Sequence, residues 1–479
     1  MSIKNMTIHS FVVGSVSIFR LFSQFFVLPF LARYLSPEDY GVIALAMPFI
    51  LFSIMFARSG IEAPLLREDT RDEKIWSASF WFVTASGIFF TAIMIGLAPL
   101  TAWFFETPQL GPILSWMAIG ILFQAMSIVP LAALRYDHRF KVVSIVQIIS
   151  MVLGMITAVI IAMKGGGAWA LAWQGLVMQG SLFLMAFAFC RFRPKFFFNL
   201  KMIKEHILFG YSVMGANFLE FSRDTLRSFI LGKVLGAALL GFYSLAYLFL
   251  YLPYRVINTV MPDVIYRYLV PFKDDMAVLR SMLLLITRCL ASLVLPFMIM
   301  IAVANKPVFG FILSDKWIFS GHLYMLVAPA AALAAVISVR IIFMQIIGKV
   351  GVNMRCNLEY LIVQTGFLLV FVWFGMEWAM IGFALSMLVY LPRELWILKT
   401  HFACGIKDYI NVFIPAVIAT LVGALTYLGI VIGLGVDKPL IQLILAALCG
   451  LLCLGCAFAL QYKTVKHQIT QINAVLKTH

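Results

Sequence analysis

The chain alternates long apolar stretches with short polar connections, and the length of those stretches is what first gives it away. A helix crosses about 30 Å of hydrocarbon with roughly 20 mostly apolar residues. Stretches of that kind fall at 8–31, 41–66, 76–105, 112–134, 142–163, 168–190, 207–231, 240–266, 281–304, 321–347, 356–376, 378–398, 409–433 and 439–461. They predict an all-α polytopic membrane fold of about fourteen transmembrane helices. The first stretch is too long for a signal-peptide apolar region and lacks a small-residue cleavage site, so it is expected to remain as a span. Very short turns separate the pairs around Gly165-Gly166-Gly167 and around Met376-Glu377.

Composition agrees. Of 479 residues, 63% are apolar and 12% charged, against roughly 45–50% and about 25% in soluble domains. A water-soluble enzyme is excluded. Seven cysteines, an odd number without regular spacing, offer no disulfide framework. The net charge of +15 would suggest a nucleic-acid partner in a soluble chain, yet there is no basic tail or polar domain to carry one. Its distribution supplies another explanation. With the N-terminus and every second connection on one side, 23 Lys and Arg fall on that side and six on the other, namely Arg33, Lys164, Lys233, Lys306, Lys316 and Lys438. Cytoplasmic connections carry such an excess, so both termini are expected in the cytoplasm.

Seven cations remain inside the predicted spans, and all are arginine: Arg20, Arg58, Arg223, Arg227, Arg255, Arg288 and Arg340. Each costs roughly 2.5–3.5 kcal/mol at mid-bilayer, so each needs a partner, a wet cavity or a route to the headgroups. Arg58 precedes Glu62 by one helical turn, which predicts an ion pair. Arg227 and Arg340 lie close enough to span ends to snorkel.

The chain also repeats itself. Leu31-Ala-Arg-Tyr-Leu35 matches Leu231-Gly-Lys-Val-Leu235, and Gly41-Val-Ile-Ala-Leu-Ala46 matches Gly241-Phe-Tyr-Ser-Leu-Ala246, both at an offset of 200 residues; Gly167-Ala-Trp-Ala170 is echoed by Met376-Glu-Trp-Ala379. Copies six spans apart enter the membrane in the same direction, which predicts a parallel repeat. The expected organisation is an N-terminal lobe at 1–200, a C-terminal lobe at 201–400, and two extra helices with a tail at 401–479.

Ala32-Arg-Tyr-Leu-Ser-Pro-Glu-Asp-Tyr-Gly41, Tyr136-Asp-His-Arg-Phe-Lys141, Trp169-Ala-Leu-Ala-Trp-Gln174, Gly232-Lys-Val-Leu-Gly236 with Gly241-Phe-Tyr-Ser-Leu-Ala-Tyr247, and Asp315-Lys-Trp317 follow one another in order. In them the chain resembles the polysaccharide-transport family of the multidrug/oligosaccharidyl-lipid/polysaccharide exporter superfamily, which includes O-antigen and exopolysaccharide repeat-unit flippases. The resemblance implies two six-helix lobes around a cavity that opens alternately to either face. The implied cargo is a polyprenyl-diphosphate-linked oligosaccharide, moved from the cytoplasmic to the outer leaflet of a bacterial inner membrane. Where relatives tend to carry Asn-x-Asp late in span seven, this chain has Ser222-Arg-Asp224.

An anionic diphosphate needs cations in a hydrated cleft, and arginine binds phosphate through its planar fork while staying charged. Arg20, Arg223, Arg255 and Arg288, nearest the middle of spans one, seven, eight and nine, are the candidate substrate-binding residues; structural ion pairing is the competing reading. Glu220, Asp224, Asp263 and Glu359 are candidates for H⁺ or Na⁺ coupling, with a mutually neutralised network as the alternative.

Other features change little. No Walker A, G-x-S-x-G or H-E-x-x-H pattern is present and the histidines are dispersed, so no catalytic role and no cofactor is expected. Cys449, Cys453 and Cys456 form a small-residue face in span fourteen, a packing feature. Trp76, Trp103, Trp116, Trp317, Trp373 and Trp396 sit near span ends as interfacial anchors. Expected partners are the lipid-linked oligosaccharide, membrane lipid, and a glycan polymerase with chain-length proteins. A drug or organic-ion exporter of the same fold, and a membrane polymerase or ligase acting on the same lipid, are the alternatives. The arginines argue against the first, and the short outer connections, with only Asp315 as an acid in the longest, against the second.

Overall fold

The computed structural model describes residues 26–58, 60–68 and 71–476, and every regular element among them is helical. The long elements are α1 (Pro37–Arg58), α2 (Glu73–Phe104), α3 (Leu110–Tyr136), α4 (Phe140–Met163), α5 (Trp169–Phe189), α6 (Leu200–Leu269), α7 (Met276–Val303), α8 (Ile318–Ile337), α9 (Arg340–Ile346), α10 (Val350–Phe371), α11 (Met376–Phe402), α12 (Ile406–Gly433) and α13 (Pro439–Leu476). Twelve described helical stretches are long and apolar enough to cross a membrane. The chain is a multi-span membrane protein.

Spans two to fourteen of the sequence reading each have a helical counterpart. Two differ in form. Spans seven and eight share the continuous run of α6, which is broken at Gly236 with φ 84° and ψ 169°. Only glycine takes up that conformation readily, and the flanking Leu, Val and Ala continue the helix on either side without a polar loop. Span ten is divided instead into α8 and α9, with Ser338 and Val339 in the turn between them. Of the first expected span, 26–34 is helical and the remainder lies outside the described residues.

Packing separates two compact units, Met1–Gly241 and Phe242–His479. In the first, α3 packs on α2 and α5, α4 packs on α5, and α1 lies against α2 and α3. Its core includes Trp76, Phe80, Val129, Leu134 and Phe192. In the second, α7 packs on α8, α12 and α13, and α11 packs on α8 and α10. Trp317, Tyr324, Phe309 and Phe343 are fully buried there. Small residues let α12 and α13 approach: a Cβ on Gly423 would collide with Sγ of Cys453. Cys449 and Cys453 are buried on that face, whereas Cys456 is exposed. Many large apolar side chains point outward, among them Phe89, Ile156, Leu184, Ile362, Leu425 and Leu451. In water that surface would be untenable, and in lipid it is solvated.

The internal repeat is visible within the first unit. A Cβ on Gly41 would collide with the carbonyl oxygen of Ala237, and one on Gly241 with that of Pro37. Both glycines are therefore required for backbone-to-backbone contact. The contact is reciprocal at the 200-residue offset, with 37 touching 241 and 41 touching 237.

Candidate functional site

The motif before α1 is a folding device. Ser36 and Asp39 make a capping box, with the Ser36 amide donating to Asp39 at 2.8 Å and the Asp39 amide donating to Ser36 Oγ at 3.1 Å. Pro37 occupies the first helical position, where its missing N–H costs nothing. The second carboxylate oxygen of Asp39 accepts the Ala168 amide at 2.8 Å, tying α1 to the start of α5. Gly167 has φ 52°, and a Cβ there would press on Asp39.

Charged side chains inside the helices fall into three kinds. In the first kind every cation is matched. Arg340, 3% exposed, forks onto both oxygens of Glu394, its second terminal nitrogen at 2.9 Å, and donates to Asn353 Oδ1 at 2.9 Å. Asn353 in turn donates to the Ile341 carbonyl at 3.0 Å. This joins α9, α10 and α11, and corrects the snorkelling expectation for Arg340. Nearby, Glu359 accepts from Arg393 at 2.8 and 2.9 Å, from Arg355 at 2.9 Å and from Tyr390 at 3.2 Å. Arg227, 4% exposed, does not snorkel either: it meets Asp224, one helical turn earlier on α6. Arg223 approaches the same carboxylate at 4.0 Å. Glu62 pairs with Arg135 of α3, while the side chain of Arg58 lies outside the description.

The second kind ties helix ends together where the Lys- and Arg-rich connections gather. Glu68 accepts from Trp76 Nε1 at 3.0 Å and lies 3.1 Å from His206 of α6. Arg71 reaches Asp137 at 3.4 Å and covers the Trp76 ring. Arg280 meets Asp408 at 2.7 Å. Sequence reasoning missed the links of Arg71 to Asp137, Arg280 to Asp408 and Glu68 to His206, because those partners lie 66 to 138 residues apart. The available signal was an acid in five of the basic connections, 67–75, 135–141, 191–206, 267–280 and 393–407.

The third kind has no side-chain partner among the described residues, and its half-buried member is Arg288. It lies close to the middle of α7, half-buried. Among the described residues no side chain pairs with its guanidinium, and its Nε is sealed from solvent without a hydrogen-bond partner. Of the other candidates, Arg255 is exposed on α6. Glu220 and Asp263 are on α6 with side chains outside the description, and Arg20 lies outside the described residues. Arg223 and Asp224 are brought together in the first unit; Arg255, Arg288 and Glu359 belong to the second.

Residues 30–320, more than half of the chain, match the family model described as "Polysaccharide biosynthesis protein". The chain belongs to that family. The matched region holds the capping box, both crossing glycines, all of α6 and Arg288. Among curated members of this kind, the succinoglycan biosynthesis transport protein ExoT of Rhizobium meliloti (strain 1021) is 24% identical over 72% of this chain and 69% of its own length. The teichuronic acid biosynthesis protein TuaB of Bacillus subtilis (strain 168) is 22% identical over 56% of each. Among solved structures, the lipid II flippase MurJ in an inward closed conformation superposes with a TM-score of 0.72, covering 96% of this chain and 100% of MurJ at 15% identity. An inward-facing multidrug resistance MATE family transporter gives 0.59 at 13% identity over 81% of this chain and 94% of its own. The polysaccharide biosynthesis family member described here thus has the fold of membrane transporters.

Proposed function

We propose that this chain is a flippase that carries a polyprenyl-diphosphate-linked oligosaccharide from the cytoplasmic to the outer leaflet of a bacterial inner membrane. The observation that carries the reading is Arg288, a mid-span guanidinium without a partner among the described residues. An unmatched charge at that depth is costly unless an anion or water meets it, and a diphosphate offers bidentate acceptors to the arginine fork. Family membership supplies the glycan, and the fold supplies alternating access. Arg20, Arg223 and Arg255 are proposed to share the anion path. Asp224, already close to two arginines, is the proposed coupling site for H⁺ or Na⁺, with Glu220 one turn away; Asp263 stands beside them as a candidate. Glu359 is engaged by two arginines, which favours its structural role.

In this reading the two repeats form lobes at 1–200 and 201–400, residues 401–479 are an added pair of helices, and both termini are cytoplasmic. A glycan polymerase and chain-length proteins would receive the product. Transport by rocking lobes needs no catalytic residue. The test is export in a strain that depends on this chain. Arg288→Glu should stop surface polysaccharide and leave the lipid-linked unit on the cytoplasmic leaflet, with protein level and membrane insertion unchanged. Full export by that variant would overturn the reading.

A further inference from the structure

The half of α6 that follows Gly236 carries a feature that an anion path does not use. Tyr243, Tyr247, Tyr251 and Tyr254 recur at spacings of four, four and three, so they share one stripe of the helix. Their rings stack successively, with centroids 5.5, 5.2 and 4.9 Å apart and planes within 28° of parallel. A different stripe of the same helix is anchored in the core of the second unit, where Phe242 meets Trp317 and Phe249 meets Phe309. Asn258 adds a fixed point by donating to Ser338 Oγ at 2.8 Å. The tyrosine stripe is therefore held in a set direction.

Phenylalanine would stack equally well, so what tyrosine adds is a row of phenolic oxygens over about 16 Å of helix. The row begins at Tyr243, which is buried, continues through three partly exposed rings, and ends beside the exposed Arg255. Aromatic rings and hydroxyls at regular intervals match one class of ligand. A pyranose has an apolar C–H face that packs on an aromatic ring and a rim of hydroxyls that pairs with phenols. The length suits an oligosaccharide, and the terminal guanidinium suits an acidic group at one end of it.

We infer that Tyr243, Tyr247, Tyr251 and Tyr254 form a rail for the sugar portion of the cargo, with Arg255 receiving an acidic group at its end. The inference rests on the flippase reading and assigns a second, uncharged recognition element to it.

The test uses the purified full-length chain in nanodiscs and, as probe, the lipid-free oligosaccharide released by mild acid from the strain's own lipid-linked pool. Saturation-transfer NMR with irradiation of aromatic protons reads contact with sugar C–H groups directly. Wild type should transfer saturation to the ring protons of the sugar. The Tyr247→Ala/Tyr251→Ala variant should weaken binding about ten-fold, while Tyr247→Phe/Tyr251→Phe should keep C–H contact with lower affinity. Trp373→Ala, at an exposed ring on another helix, should change nothing. Thermal unfolding identifies any variant that is merely misfolded, and the Phe pair keeps the question decidable if the Ala pair is. Transfer that is undiminished in the Ala pair, or absent from the wild type, overturns the rail. Whether a deletion strain still exports polysaccharide then shows if the cargo reading falls with it.

Discussion

Two arginines of the second unit lie within helices of the membrane and meet opposite fates. Arg340 starts α9 and is closed in by Glu394 and Asn353, each nitrogen of its fork engaged. Arg288 sits mid-way along α7 with a sealed Nε and no partner among the described residues. Taking a guanidinium out of water costs several kcal/mol, and only good geometry with a counter-charge offsets it. Around Arg340 that offset is supplied within the fold, by three helices that its fork joins. Around Arg288 it is left open. A structural arginine and a ligand-seeking arginine therefore differ in what answers them.

The largest effect expected from breaking this comparison is at Arg340. Arg340→Met strands the Glu394 carboxylate and should cost about 3–5 kcal/mol, read as a large drop in Tm for the detergent-solubilised chain. Arg340→Met/Glu394→Leu should recover most of the loss, since removing both charges leaves nothing buried and unmatched. Arg288→Met should behave in the opposite way. It removes an uncompensated charge, so Tm should hold or rise while export fails. If both single variants lose the same stability, the distinction between the two arginines is gone.

How far the sequence led is clear from these residues. Spans are legible because hydropathy over about 20 residues reflects the solvent directly, and the matched motifs 200 residues apart contain the two glycines, Gly41 and Gly241, whose backbones meet Ala237 and Pro37. The break at Gly236 was readable as a position but not as a kink, since Ala and Leu on both sides let the helix run on. Partners were the illegible part. Glu394 lies 54 residues from Arg340, and Arg135, which meets Glu62, lies 73 residues along the chain. Such choices are made by which helices pack together. Depth placed Arg288 in one group with Arg20, Arg223 and Arg255; that no side chain among the described residues answers it had to be seen.

An intermediate case sharpens the scale. Glu359 is held by Arg393 and Arg355 at once, with both Glu359 and Arg393 partly exposed. Arg393→Gln leaves Arg355 and Tyr390 in place, so the cost should be about 1 kcal/mol, far below that of Arg340→Met. A loss as large would mean that burial of Glu359 in the bilayer outweighs its second partner.

The smallest effect belongs to a pair at the far limit of exposure. Lys233 donates to Glu106 at 2.8 Å and to the Phe104 carbonyl at 2.6 Å. Glu106 lies in the connection after α2, and the Lys233 ammonium holds its carboxyl below the usual carboxylate range, first by the hydrogen bond and then by charge. A depressed carboxyl contributes stability above its unfolded value and loses it as pH falls through the folded one. Wild type should therefore lose slightly more stability on acidification than Lys233→Gln, with the two curves meeting once Glu106 is protonated in both. Salt should shrink the difference further, because charges this exposed are screened. The same screening cannot reach Arg340, so added salt should leave the Arg340→Met deficit intact while it erases the Lys233→Gln one; equal salt sensitivity at the two sites would mean that the Arg340 fork is wetter than its two fixed partners imply.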